Sequence, residues 1–134
     1  MATTTISVAR TYRDLDLNFG IHPIRKDINT HKGEYAVINS IKNIIQTNHY
    51  EVPFEPEFGS NIRKLLFEPM DAVTSNLLER EISETVRNFE PRARVSFINV
   101  KADYEKSGYL IEMTFDIISL TNAVTIKFFL ERVR

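Results

Sequence analysis

The ten residues NFEPRARVSF, 88–97, decide how the chain is organised. Upstream of them Val73, Leu77, Leu78, Ile82, Val86 and Phe89 recur at three- and four-residue spacing, the period of an amphipathic helix. That spacing predicts a helix from about Ala72 to Phe89, with Asp71 placed to cap its start. Downstream of Pro91 the period falls to two, with Val95 and Phe97, then Ile98, Val100, Ala102 and Tyr104. The phase slips between 97 and 98, as a bulge or a strand buried on both faces would require. Between the two periods stands the triplet Glu90-Pro91-Arg92. Proline explains the stop, but it does not explain two opposite charges held beside a stiff corner.

The alternation continues to the C-terminus. Glu105–Gly108 reads as a turn. Tyr109, Ile111, Met113, Phe115 and Ile117 then mark a strand within 109–119. Thr121-Asn122 reads as a second turn, and Val124, Ile126, Phe128 and Leu130 mark the last strand. Working back toward the N-terminus, Val37, Ile38, Ile41, Ile44 and Ile45 define a helix over 33–48. The loop 49–59 contains Pro53 and Pro56, and its aromatics Tyr50, Phe54 and Phe58 predict a loop packed on the body. A short helix follows in SNIRKLLF, with Ser60 as its cap, ending before Pro69. Residues 1–11 read as a polar arm, and Tyr12–Asp27, punctuated by Gly20 and Pro23, as an extended docked segment. The expected fold is α+β, one domain over 1–134: an arm and docked segment (1–32), a helical part (33–89) and a three-stranded antiparallel β-meander (90–134).

Composition narrows the function classes. Seventeen basic and eighteen acidic residues leave a net charge of −1, which supplies no general attraction to nucleic acid or to an anionic membrane. Arg92 with Arg94, and Arg132 with Arg134, are local basic spots only. With no cysteine, disulfides, thiolate chemistry and sulfur-ligated zinc are excluded, and a reducing cytoplasm is the expected site of synthesis. No apolar run approaches the length of a membrane span, and the first residues lack a signal-peptide core.

Catalytic patterns are equally sparse. There is no G-x-S-x-G, and the glycines at 20, 33, 59 and 108 are too dispersed to cradle a phosphate. His22, His31 and His49 lie on three separate segments, so no metal or cofactor is expected. Glu51, Glu55, Glu57 and Glu68 surround the proline-rich loop, and paired carboxylates are what glycoside hydrolysis needs. Yet no aspartate has a glutamate nine positions before it, the spacing of phage-type lysozymes.

Two features point outward instead. Glu90 at the end of a helix faces the negative pole of the helix dipole and calls for a cation, which Arg87 or Arg92 can supply. An arginine fork at such a corner serves either as a latch inside the fold or as an anchor for another chain. On the anchor reading, Arg92→Ala leaves the fold intact. The last strand poses the same choice. As an edge it can accept a strand from a partner, with Phe129 on the face opposite Val124, Ile126, Phe128 and Leu130, while Lys127, Glu131, Arg132 and Arg134 can discourage pairing.

Three ordered motifs then carry a resemblance: AV–x2–SI–x–NII–x–T (36–47), VPFEPEFGSNIRKLLFEPMD (52–71) and EPR (90–92). With YRDLDLNF (12–19) and His22-Pro23, the chain resembles the baseplate wedge and sheath-initiator family of contractile-tailed phages, which has counterparts in type VI secretion baseplates. The resemblance implies a structural part without catalysis, located in the tail baseplate of a virion and assembled in the host cytoplasm. It implies that Glu90, Pro91 and Arg92 dock on wedge scaffold proteins, and that Val124, Ile126, Phe128, Phe129 and Leu130 engage the tail sheath protein by strand exchange. No nucleic acid and no membrane span enter this picture. Pro53, Phe54, Pro56, Phe58, Gly59, Phe67, Glu68 and Pro69 match as a structural loop, for which fixing helix packing is favoured over direct contact. Some family members carry a lysozyme label, so a peptidoglycan-hydrolysing tail enzyme is the alternative.

Overall fold

The change of period at Pro91 is the seam of the structure, with the three helices of the described residues before it and a three-stranded sheet after it. A computed structural model describes residues 13–15, 30–118 and 122–132. In chain order these form β1 (Arg13–Leu15), β2 (Thr30–Lys32), α1 (Glu34–Gln46), α2 (Ile62–Leu65), α3 (Ala72–Phe89), β3 (Ala93–Asp103), β4 (Gly108–Ile117) and β5 (Ala123–Glu131). Strands β1 and β2 pair antiparallel, bringing Asp14 opposite His31. Strands β3, β4 and β5 form the expected antiparallel meander, with β4 in the centre. The expected arm at 1–11 lies outside the described residues, as do most of the docked segment 12–27 and the turn residue Thr121.

The core is one cluster. Val37, Ile41 and Ile45 of α1 meet Ile62 of α2, Leu78, Ile82 and Val86 of α3, and the inward face of the sheet. In β4 Tyr109, Ile111, Met113, Phe115 and Ile117 are all buried to 1% exposure or less. Each such side chain contributes about 1.5–3 kcal/mol on removal from water, so the central strand dominates the packing. The phase slip is a bulge. The β3–β4 register shifts between Val95 and Phe97, and Ser96 is the extra residue. Ala93 and Val95 face inward before it and Ile98 and Val100 after it, which leaves Phe97 54% exposed.

Three local expectations need correction. Val73 and Leu77 are exposed, because α3 turns Thr74, Leu78, Ile82, Thr85 and Val86 inward; two threonines occupy the buried stripe. Ser60 does not cap α2. It is buried and donates to the Ile45 carbonyl at 3.1 Å, while the Asn61 amide at the start of α2 is satisfied by Glu81 Oε1 at 2.9 Å, from α3. Of the three aromatics in the proline-rich loop only Phe58 packs on the body, edge-on to Phe89 at 5.1 Å. Tyr50 and Phe54 stand in solvent, both at positive φ (67° and 69°). Asp71, by contrast, caps α3 as expected, accepting from the Thr74 amide at 2.7 Å.

The loop closes against α1 at Gly59. The Ser60 amide donates to the Thr47 carbonyl at 2.9 Å, and Gly59 has φ +113°. A Cβ there would lie 2.7 Å from the Thr47 carbonyl oxygen, against backbone that cannot yield. Gly59→Ala is therefore expected to cost about 2 kcal/mol or more in urea unfolding. A loss below about 0.5 kcal/mol would show that the loop relocates freely.

Candidate functional site

Glu90 is the C-cap of α3, and its amide still donates to the Val86 carbonyl at 2.9 Å. The Ala93 amide then returns to the Glu90 carbonyl at 3.2 Å, closing a four-residue turn with Pro91 in second place, where its fixed φ fits. The Arg92 carbonyl accepts from the Ile118 amide at 3.0 Å, which ties the corner to the end of β4. Helix end, turn and sheet are thus bonded into one unit before any side chain is considered.

The side chains complete it. Glu90 is 1% exposed, although carboxylates are seldom so deeply buried. Its Oε1 accepts from Arg92 Nε at 2.6 Å and its Oε2 from Arg92 Nη2 at 2.8 Å, a bidentate fork. Ser40 on α1 lies near the same carboxylate and favours its charged form. Burial pushes the Glu90 carboxyl upward, but the Arg92 hydrogen bonds, the nearby Ser40 hydroxyl and the Arg92 charge together hold it below the ordinary carboxylate value. The charge that opposes the helix dipole is in this way neutralised locally. Pro91 is exposed, and 23% of the Arg92 side chain reaches solvent.

The structure therefore brings Glu90, Pro91 and Arg92 together, but with unequal access to a partner. Glu90 faces into the fold, and Arg92 is turned onto it. Ser40 stands in the 36–47 motif, but nothing in its spacing tied it to Glu90, fifty residues away.

The edge is equally specific. Among the described residues β5 pairs with β4 alone. The Arg132 amide donates to the Ser107 carbonyl at 2.9 Å in continuation of the β4–β5 register, so even-numbered residues of β5 bond toward β4. Odd-numbered residues then direct their backbone groups to the free edge. Ile126 is buried, and Val124, Phe128 and Leu130 pack against the core, which leaves Phe129 as the exposed member of the five edge residues. The Phe129 ring lies over Gly108, where no Cβ would fit. Lys127–Glu112 at 2.9 Å and Thr114–Thr125 at 2.9 Å lace the outer face.

In the proline-rich region Phe58 and Gly59 hold the loop to the helices, while Pro53, Phe54, Pro56, Phe67, Glu68 and Pro69 are exposed. Glu51, Glu55, Glu57 and Glu68 are all solvent-exposed, and Glu51 accepts from the Asn48 amide at 2.8 Å. Among the described residues no three His, Asp or Glu side chains cluster as metal ligands do, and no helix is long and apolar enough to cross a membrane.

The buried pair alters the expectation for Arg92→Ala, because that change strands a carboxylate in the interior. A loss of roughly 2–4 kcal/mol in stability follows. The lowered Glu90 value also gives a pH dependence. Its stabilising effect is complete above the ordinary carboxylate value of 4.5 and is lost as pH falls through the lower folded-state value. In denaturation series the stability gap between wild type and Glu90→Gln should be constant near neutrality and shrink in acid below that value. A gap that stayed constant to the acid end would show that Glu90 does not titrate with folding.

The family model described as baseplate wedge protein gp25 matches residues 31–121. Baseplate wedge protein gp25 of Enterobacteria phage T4 is 33% identical over 112 residues, covering 84% of each chain. Among solved structures, a Geobacter sulfurreducens protein named as a tail lysozyme superposes with a TM-score of 0.70 at 22% identity, over 75% of this chain and 92% of the other. A chain of the anti-feeding prophage baseplate superposes with a TM-score of 0.65 at 14% identity, over 92% and 88%. Those two likenesses concern the fold, whereas the sequence matches carry the identity: the chain belongs to the gp25 family of baseplate wedge proteins.

Proposed function

We propose that this structural subunit of the baseplate wedge docks on the wedge core through the Glu-Pro-Arg corner and initiates sheath assembly through the free edge of β5. The observation that carries the reading is the pre-formed corner. The Glu90 carboxylate orients the Arg92 guanidinium, and the turn fixes Pro91 beside it. A surface already ordered in the free chain loses little conformational freedom on docking. Within this scheme Glu90 positions, while Pro91 and the solvent-facing part of Arg92 make contact.

The edge acts through backbone. Ala123, Thr125, Lys127, Phe129 and Glu131 present the outward amides and carbonyls to an added sheath strand. Val124, Ile126, Phe128 and Leu130 keep that edge flat by anchoring it to the core, and Phe129 adds the one apolar contact. On this reading the chain acts in the tail baseplate, after assembly in the host cytoplasm, and catalyses nothing.

Tagged chain recovered from tail-producing cells tests both halves. Arg92→Lys keeps a positive charge but loses the fork, and is expected to bring down less of the wedge proteins. Thr125→Pro removes an outward amide and leaves the β4 ladder intact; it should retain the wedge but fail to grow sheath. Wild-type levels of both partners with both variants would refute the two assignments. A peptidoglycan suspension incubated with purified protein should stay turbid, and clearing would restore the hydrolase alternative.

A further inference from the structure

Beside the corner lies an open cavity of about 530 Å³, between the last turns of α3 and the start of β3. Its walls include Ser83 and Arg87, one helical turn apart on α3, Arg94 and Val95 of β3, Pro91 at the corner, and Ile118 after β4. Both arginines are exposed, and neither forms an ion pair among the described residues. The acids around them are engaged elsewhere. Glu84 is held by Arg80 at 3.0 Å, and Glu90 is buried on Arg92. Asp116, the cross-strand neighbour of Arg94, accepts instead from Ser96 Oγ at 2.9 Å.

Helix geometry accounts for part of this. A cation in the last turn of α3 is favoured by the helix dipole, which suffices for Arg87. It does not account for Arg94, which is on a strand, nor for Ile118, which is 74% exposed on the wall of the same cavity. Two guanidinium groups without an ion-pair partner among the described residues, on a cavity that Pro91, Val95 and Ile118 also line, ask for carboxylates carried on an aliphatic stretch of chain. Nucleic acid fits less well. Two cations around an apolar floor, in a chain of net charge −1, make a poor phosphate track.

We propose that this cavity seats an acidic segment of a neighbouring wedge protein, with Arg87 and Arg94 as its paired cationic contacts and Ile118 as its apolar one. The inference rests on the docking role of the corner proposed above, and it moves the charge recognition off Glu90 and Arg92 onto the residues flanking them. Glu90 and Arg92 then set the shape of the site, while Arg87 and Arg94 read the partner. Because arginine stays charged across the working range, binding should weaken with salt and hardly change between about pH 6 and pH 9.

The test uses wedge core purified from tails that lack this subunit, titrated with the full chain at about 50 and about 300 mM salt. The double variant Arg87→Glu/Arg94→Glu should bind at least about tenfold more weakly than wild type. Arg87→Lys/Arg94→Lys should lose only a few-fold, roughly what the fork geometry adds. Both side chains are exposed, so each variant should still melt cooperatively, which serves as the folding control; Arg87→Glu should lower the midpoint slightly, because it places an anion at the C-terminal end of α3. In parallel, a photo-crosslinking amino acid at position 118 in the otherwise native chain should attach to a wedge peptide rich in Asp and Glu. Wild-type affinity in the charge-reversed variant, or a crosslink to a peptide without acidic residues, overturns this site while leaving corner docking in place. Failure of the wild-type chain itself to bind the wedge core overturns the docking role and this site with it.

Discussion

A buried carboxylate gripped by an arginine two residues away sets the geometry on which the rest of this molecule depends. Glu90 ends α3, Arg92 leads into β3, and the fork between them fixes the angle at which the helix meets the sheet. Ser40 brings α1 to the same carboxylate, so three elements converge on one charge. Buried ion pairs seldom add net stability over a well-packed apolar replacement, but breaking one is costly. That asymmetry suits a corner whose value lies in its shape. The pair tolerates no half-formed state, because a lone Glu90 inside the fold is worse than either the intact pair or no charge at all.

From that corner the sheet divides its labour strictly by parity. One face of β4 is sealed against the helices, and the alternate residues of β5 extend the same core. The opposite parity of β5 carries the outward backbone and the laced outer face. The bulge at Ser96 turns β3 by one residue, which allows Ala93 and Ile98 to face inward on the same strand. A strand that packs with one parity and is exposed at its edge with the other can meet a partner without giving up core contacts. The same division explains why four of the five residues assigned to the sheath contact contribute packing and only Phe129 contributes exposed surface.

Much of this could be read from the chain before any coordinates. The switch of period at Pro91, the Asp71 cap and the alternation of β4 are strong because each is a local rule with one physical cause. The three motifs at 36–47, 52–71 and 90–92 were enough to resemble the family that the comparisons then established. What escaped depends on neighbours. Val73 and Leu77 carry apolar periodicity, yet the α3 face that meets the sheet is the one with Thr74 and Thr85, and no spacing rule chooses between adjacent faces. Ser60 has cap chemistry but lies under α1, where it donates to the Ile45 carbonyl, and it is Glu81, twenty residues beyond Asn61, that accepts from the Asn61 amide just before α2. Burial of Glu90 was invisible for the same reason, since a glutamate at a helix end reads as surface until Ser40 and Arg92 are seen around it.

The most direct measurement is a cryo-electron-microscopy structure of this chain in its own assembled wedge, resolved well enough to place the Glu90 and Arg92 side chains. The fork between them is expected to be unchanged from the free chain, with a partner's acidic side chains lying against Arg87 and Arg94 rather than displacing Glu90. An Arg92 guanidinium swung away from Glu90 and paired with a carboxylate of another chain would contradict it, because the corner would then be a contact made on docking and not a shape built in advance.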